Sequence, residues 1–310
     1  MINKICAFAP ATIANLNVGF DILGLSLNSI GDKVEVARNG TSQNRITEII
    51  NGSNLPTDPE KNSCSAVIRK MQEALNKFDG VDIRIKKGFA SGSGLGSSSA
   101  SSAAAAVALN ALLDNPFTQE QLVPFAAEGE RTACGTAHSD NVAPAILGGL
   151  VLIHEQKLIK LPLPAGLQAV LFFPNITINT AGSRSILRQN LPLKLASRQI
   201  ANMGAFVASL YQNDLALMAK SMEDLMVEPS RKILIPCFDE MKDAAIKHQS
   251  LAFGISGSGP SMFALAANKD NAHKITGALQ EVYKTCGIDA QHFTEELTNK
   301  TEARITNFED

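Results

Sequence analysis

The sequence predicts an α+β protein of two domains. Strand-like and helix-like segments are mixed along the chain without the regular βαβα rhythm of a doubly wound sheet. The 310 residues, 45 % hydrophobic and 19 % charged, suffice for two ordinary cores. A polar, proline-rich stretch, "HEQKLIKLPLPAG", interrupts the pattern near residues 155–165. The expected division is therefore 1–160 and 161–310.

The first 60 residues read as strands: "KVEVA" (33–37) and "RITEII" (45–50) carry β-branched residues in rough alternation. In "NSCSAVIRKMQEALNKF", Val67, Met71, Leu75 and Phe78 recur at helical spacing, with Gly80 as the expected stop. "VDIRIKK" alternates Val81, Ile83 and Ile85 as a strand does. "TQEQLVPFAAEGE" reads as a helix with Pro124 in its first turns. "GGLVLIHE" and "LQAVLFF" read as strands, and "LKLASRQIANMGAFVASLYQ", "DLALMAKSME" and "SRKILIPCFDEMKDAAIKH" as three helices. "LAFGI" and "SMFALAA" flank a second Gly/Ser turn, followed by a helix over "DNAHKITGALQEVYKTC" and a strand near "DAQHFTE".

Composition excludes several classes. A net charge of −2 with no basic block argues against a nucleic-acid surface, and the absence of tryptophan removes stacking platforms. The start of the chain lacks the apolar run of a secretory signal, and no 18-residue apolar stretch could span a bilayer. Cys6, Cys64, Cys134, Cys237 and Cys286 are scattered singly, odd in number and without CxxC spacing. Neither a disulfide framework nor a zinc site is expected, and a reducing cytoplasm fits.

Between the strand at 81–87 and the alanine-rich helix stands "SGSGLGSSSA" (91–100). A glycine loop that opens a helix makes an anion site. The first helical N–H groups lack internal partners, and the macrodipole places partial positive charge there. Gly92, Gly94 and Gly96 let backbone approach a phosphate, while Ser97, Ser98 and Ser99 add hydroxyls. Lysine is missing at the position a Walker A loop requires, and GxGxG is not the dinucleotide GxGxxG. A serine-capped turn ahead of a tightly packed helix remains the alternative on this stretch alone.

Two further stretches share this chemistry, "PATIANLNVGFD" (10–21) and "GISGSGPSMFAL" (254–265). With the central loop they resemble the three motifs of the GHMP kinase superfamily, although Ala90 stands where the family's central motif opens with proline. "ANLNVGFDILGLSL", "HSDNVAPAILGG" (138–149), "NTAGSRSIL" and "EPSRKILIP" resemble the branch that phosphorylates the hydroxyl of L-homoserine. The motifs occur in order from residue 10 to residue 265.

The resemblance implies a two-domain GHMP kinase fold, with an N-terminal ribosomal-protein-like α+β domain, a C-terminal ferredoxin-like α+β domain, and an active site between them. It implies ATP, Mg²⁺ and L-homoserine as ligands, a homodimer, no nucleic-acid or membrane partner, and a step toward threonine. ATP is assigned to Ala90, Ser91, Gly92, Ser93, Gly94, Leu95, Gly96, Ser97 and Ser98. Mg²⁺ is assigned to Ser98 and Glu130, the latter otherwise read as a solvated helix-end glutamate. Arg184 and Arg231 suit the substrate carboxylate because a guanidinium donates twice. Asn15 and Asp21 suit its ammonium and hydroxyl ends, or act as local caps near Gly19. His138, Asp140 and Asn141 lie together in "HSDN" and are also assigned to substrate, with Asp140, Asn141 and Arg184 as the catalytic set. Asp140 occupies the place of a catalytic base in related kinases. The homoserine branch is described as base-free, so Asp140 is expected mainly to hold substrate, and Asp140→Asn to retain near-normal turnover. A GHMP kinase with another acceptor and a non-catalytic nucleotide-binding regulator are the competing readings.

Overall fold

The computed structural model describes residues 3–52, 55–176, 178 and 180–309, and of Cys134, Thr180 and Ala181 only the backbone. The first sheet begins with β1 (Lys4–Ala14) and the 16-residue β2 (Leu23–Arg38). It continues with β3 (Arg45–Ile50) and β4 (Val81–Lys86). Along its length β2 changes neighbours. Lys33–Arg38 pairs with β4, while Leu23–Leu25 pairs with β5 (Leu150–His154), which carries β6 (Lys157–Leu161). The expected division at 160 comes at the end of β6, and the last strand, β11 (Arg304–Thr306), returns to pair with β1.

Four helices cover this sheet: α1 (Ser63–Leu75), α2 (Ser97–Leu112), α3 (Gln119–Cys134) and α4 (Val142–Leu147). The helix read up to Gly80 stops earlier. Asn76 takes the left-handed conformation and its N–H closes the last turn, so Phe78 is left 56 % exposed outside the helix. Thr118 and Gln121 form a capping box at the start of α3.

The composition of α2 has its reason here. It lies against β1 and β2 on one side and α1, α3 and α4 on the others. Six of its seven alanines, Ala100, Ala103, Ala104, Ala105, Ala106 and Ala108, are fully buried. A helix buried almost all round needs short side chains where backbones approach closely, and its neighbours supply the bulk. Val34, Ile68, Met71, Ile83 and Ile146 do so in the same core.

The second sheet has four strands, β7 (Gln168–Pro174), β8 (Ala252–Ile255), β9 (Met262–Ala266) and β10 (Ala290–Glu296), in the order β10-β7-β9-β8 with every neighbouring pair antiparallel. Helices fill the β7–β8 connection and α10 (Lys269–Cys286) joins β9 to β10, which is the ferredoxin-like arrangement. The β7–β8 connection holds α5 (Thr180–Ser185), α6 (Leu193–Gln212), α7 (Leu215–Ser221), α8 (Glu228–Arg231) and α9 (Phe238–Lys247). The sequence predicted one helix from residue 230 to 248. The structure breaks it into α8, a 3-10 turn and α9, because Pro236 cannot continue a helix and Cys237 has a φ of 58°.

The cysteine expectation is corrected as well. Cys237 and Cys286 form a disulfide, joining the start of α9 to the end of α10. The two residues are 49 apart in sequence, but α9 packs along α10 and brings their Cα atoms to 6.8 Å. Sequence spacing carries no trace of such a pairing. Cys6 and Cys64 are free and buried. Among the described residues no helix is long and apolar enough to cross a membrane.

Polar side chains stitch the two sheets together. Asn17 follows β1, is 4 % exposed, and donates from Nδ2 to Met222 O at 2.9 Å and Phe253 O at 3.0 Å. Gly254 leaves the space, since a Cβ there would overlap the Asn17 carboxamide. Asn17→Ala strands two buried carbonyls and is expected to lower the unfolding free energy by about 2–4 kcal/mol in urea denaturation. A loss below about 0.5 kcal/mol would show that this link does not hold the halves together.

Candidate active site

The glycine loop between β4 and α2 has its carbonyls tied down. Ser93 O accepts from Ser261 N at 3.0 Å, Gly94 O from Ser256 Oγ at 2.7 Å, and Leu95 O from Thr12 N at 3.0 Å. Residues from all three of the motifs "PATIAN", "SGSGLG" and "SGSGPS" therefore meet at the loop. Gly96 O takes the first helical bond, from Ala100 N at 2.8 Å. Among the described residues, the N–H groups of Ser97, Ser98 and Ser99 find no acceptor within the protein. They are the free donors of the first turn of α2, and the partial positive end of its dipole coincides with them.

Two glycines have a reason beyond phosphate access. Gly94 and Gly96 have φ of 83° and 68°. A Cβ on Gly94 would come 2.7 Å from the carbonyl oxygens of Ser256 and Gly259. One on Gly96 would overlap Thr12 Oγ1 and come 2.7 Å from Asn141 Oδ1. Thr12 Oγ1 itself donates to Asn141 Oδ1 at 2.7 Å. The loop is small because three other segments close on it from behind.

In front of it lies a cleft of about 400 Å³. Of the residues assigned from sequence, the structure brings Asn15, Asp21, Ser91, Gly92, Gly94, Gly96, Ser97, Ser98, Glu130, His138, Asp140, Asn141, Arg184 and Arg231 to its walls. Ser93 and Leu95 are buried behind the loop, and Ala90 is exposed; none of these three lines the cleft. On the side of α1 and β4, Leu55, Pro56, Cys64 and Ile85 add apolar surface to the lining, together with Lys61 and Lys87. Asn62 stands beside them, its amide already used: Oδ1 caps α1 through Cys64 N and Nδ2 donates to Pro56 O.

Glu130, on α3, is 7 % exposed. Burial raises its pKa, opposed by the neighbouring Ser98 and Ser99 hydroxyls and by the charge of Lys87. The Ser98 hydroxyl and the Glu130 carboxylate both line the cleft, an oxygen pair suited to a hard divalent cation. Among the described residues no cluster of three His, Cys, Asp or Glu could hold a metal.

Other charges of the cleft are arranged around Asp21, which has a φ of 64° and donates its N–H to Asn15 Oδ1 at 3.0 Å. Asn15 Nδ2 reaches Gly257 O at 3.4 Å, so both ends of its amide position other groups. Arg184 makes a bidentate pair with Asp21 at 2.7 and 2.9 Å. Arg231 is different. It is 3 % exposed and donates to carbonyls, Gly257 O at 2.7 Å and Ser183 O at 3.4 Å. Among the described residues no carboxylate lies within ion-pair distance of it. Burial, then the charge of Arg184, lowers its pKa. Both guanidinium groups face the Phe20 ring, at 5.3 and 5.4 Å from its centroid.

Asp140 is 4 % exposed and its Oδ1 has no hydrogen-bond partner within the protein. Burial, reinforced by the charges of Asp21 and Glu130, pushes its pKa up to about 7. His138 is half-buried, and burial followed by Arg184 lowers its pKa, so its ring is neutral at pH 7.

Sequence reasoning missed the residues that hold these groups. Asp224 accepts from the N–H groups of Met226, Val227 and Glu228, fixing the short helix that carries Arg231. Buried Gln199 accepts from Leu225 N and donates to Asn17 O and Val18 O, linking that segment to the first motif. Lys87, at the end of β4, is buried beneath the loop. Asn62 carried a readable mark, an asparagine directly before an apolar helical run. The others, distant in sequence from their partners, carried none.

Comparison with known proteins agrees with this geometry. The family model described as GHMP kinases N terminal domain matches residues 62–149, and GHMP kinases C terminal matches residues 206–285. A homoserine kinase of Chloroherpeton thalassium is 41 % identical over 295 residues, 91 % of this chain and 92 % of its own. One from Xylella fastidiosa is 36 % identical over 294 residues, 94 % of this chain and 91 % of its own. The crystal structure of homoserine kinase from Cytophaga hutchinsonii superposes with a TM-score of 0.95 at 40 % identity, covering 99 % of this chain and 98 % of that one. The crystal structure of L. major mevalonate kinase, 16 % identical with a TM-score of 0.68 over 96 % of this chain and 97 % of its own, shares the fold.

A raised carboxyl pKa has a measurable cost. The folded value for Asp140 lies above the ordinary 3.8, so the unfolded chain releases this proton first. The stability this group contributes is complete below about pH 4 and is lost as pH rises to about 7. Asp140→Asn removes the effect. Its Tm is expected to exceed that of wild type by roughly 3 °C or more at pH 8 and by much less at pH 5. An equal offset at both pH values would contradict the raised value.

Proposed function

The chain belongs to the homoserine kinase family of the GHMP kinases, and from that premise we propose how its cleft carries out the transfer. The reaction is ATP-dependent phosphorylation of the L-homoserine hydroxyl, giving O-phospho-L-homoserine and ADP. In our reading the polyphosphate lies against the free N–H groups of Ser97, Ser98 and Ser99, with the adenine toward Leu55, Pro56 and Ile85. Ser98 and Glu130 would hold Mg²⁺, which when bound neutralises charge on the phosphates.

The zwitterion of homoserine binds between the charged groups around Phe20. Its carboxylate goes to Arg231, the buried guanidinium without an acid partner, and its ammonium to Asp21 beside Arg184. A carboxylate at Arg231 recovers in a low dielectric much of what burying that cation costs. The side-chain hydroxyl then lies at Asp140 and Asn141, with neutral His138 able to donate to a substrate oxygen.

One observation carries the mechanism. Asp140 is a buried carboxyl at the cleft wall whose Oδ1 has no partner within the protein, and burial pushes its pKa up to about 7. A group titrating near the working pH is suited to accept a proton. The hydroxyl proton passes to Asp140, the oxygen takes the γ-phosphoryl group, and ADP leaves. This departs from the base-free course implied by the resemblance. As a loose transition state needs little deprotonation beforehand, Asp140 acts as the proton's destination as transfer proceeds. We further propose a homodimer acting at a step toward threonine; the Cys237–Cys286 disulfide removes the cysteine argument for a reducing compartment.

Two measurements test the reading. In a coupled ADP-release assay, homoserine is expected to give the highest kcat/KM, with serine, threonine and mevalonate lower by roughly tenfold or more. Mevalonate as the best acceptor would overturn the substrate assignment. Asp140→Asn is expected to lower kcat by about 100-fold or more while changing the homoserine KM by less than about threefold. Near-normal turnover would return Asp140 to a purely substrate-holding role.

A further inference from the structure

Lys87 is the first residue after β4, and its side chain is 2 % exposed beneath the phosphate loop. Its ammonium makes an ion pair with Asp32 and hydrogen bonds to Ser97 O at 2.8 Å and Ser101 Oγ at 2.9 Å, and lies 5.5 Å from the centroid of the Phe89 ring. Asp32, on β2, is fully buried. Its Oδ1 accepts from Gly88 N at 3.0 Å and its Oδ2 from Ser101 Oγ at 2.6 Å, besides the pair with Lys87. Every polar atom of the pair is satisfied, and the network joins β2, the end of β4 and the first two turns of α2.

A buried ion pair is poor evidence for stability, since apolar residues of similar volume commonly do as well. What is particular here is the acceptor. The carbonyl of Ser97 belongs to the same peptide unit as the N–H of Ser98. In a helix the two point in opposite directions along the axis, so an ammonium on that oxygen stands behind an N–H that faces the cleft. A charge-assisted bond to the carbonyl fixes the orientation of the peptide plane and polarises it, making its N–H a stronger donor. The same charge reaches Glu130, favouring its ionised form.

We infer that Lys87 is a positioning residue for nucleotide binding: held by Asp32, its buried ammonium orients and polarises the Ser97–Ser98 peptide toward the phosphates of ATP. Lys87 stands at the wall of the cleft, but its ammonium is turned to Asp32, Ser97 O and Ser101 Oγ, so it serves the phosphates through the backbone. The inference rests on the reading of this loop as the ATP site, and it adds Lys87, Asp32 and Ser101 to that site.

The test is a double-mutant cycle on the full chain with Lys87→Met, Asp32→Asn and the combination, together with Ser101→Ala. Thermal unfolding, calorimetric titration with ADP and Mg²⁺, and the KM values for ATP and homoserine are read for each. Each single charge variant leaves an unpaired partner and is expected to unfold at lower temperature. The combination leaves no buried charge and is expected to regain most of the wild-type midpoint. Its ATP KM is nevertheless expected to stay raised roughly tenfold or more, with the homoserine KM within about twofold. A combination that regains wild-type ATP affinity along with its midpoint would overturn the inference, as would parallel rises in both KM values. Should the charge variants fail to fold, Ser101→Ala decides. It is expected to raise the ATP KM by roughly three- to tenfold with the homoserine KM unchanged, and an unchanged ATP KM would overturn the role. A wild-type protein that binds no ADP removes the reading of the loop and the inference with it. Normal wild-type binding with indifferent variants leaves the reading standing and removes Lys87 alone.

Discussion

The direction in which one short loop points its carbonyls governs the rest of the structure. A peptide carries a donor and an acceptor on opposite sides, so tying the acceptors back commits the donors forward. Thr12, Ser256 and Ser261 take the carbonyls of Leu95, Gly94 and Ser93, and the first-turn N–H groups of α2 are left facing the cleft. Those three anchors come from residues 12, 256 and 261, at opposite ends of the chain. A phosphate site of this kind therefore cannot form until both sheets are in place, which couples the fold to the chemistry.

The same coupling explains the position of the cleft. The second sheet and its helices bring Arg184 and Arg231 to the loop, while the first contributes Asp21, Glu130 and Asp140. Asn17 and Gln199 lock these halves through buried amides, and Asp224 fixes the turn that presents Arg231. The charge distribution across the cleft follows. Mixed charges around Asp21 suit a zwitterion, the oxygens of Ser98 and Glu130 suit a cation with its phosphates, and apolar surface joins the lining on the side of α1 and β4. A buried guanidinium without an acid partner and a buried carboxyl with a free oxygen are costly in a folded chain. Both lie where an amino-acid alcohol would supply the missing partners.

Much of this was legible in the sequence, for local reasons. Alternation in 81–86 and helical spacing in 64–71 are written in neighbouring residues, as is the helix over 193–212. The glycine loop was visible because its function is local: backbone, small side chains and a helix start. What escaped was long-range. The alanines of α2 take their reason from β1, β2, α1, α3 and α4, which close around it and lie far from it in sequence or in other elements. The Cys237–Cys286 link depends on α9 lying along α10. Lys87 read as the end of a strand, since nothing nearby in sequence shows that its ammonium turns inward to Asp32. The split of the expected helix at 230–248 was the exception, because Pro236 was there to be weighed.

The account depends most on the loop's amides meeting the nucleotide, and backbone NMR reports on them directly. In a ¹H–¹⁵N titration with a non-hydrolysable ATP analogue and Mg²⁺, the amides of Ser97, Ser98 and Ser99 are expected to shift downfield and saturate together. Leu95, whose N–H is already bonded to Ser93 Oγ, is expected to move least within the loop. Saturable binding that leaves the amides of Ser97–Ser99 unmoved, with the largest shifts elsewhere in the protein, would contradict it.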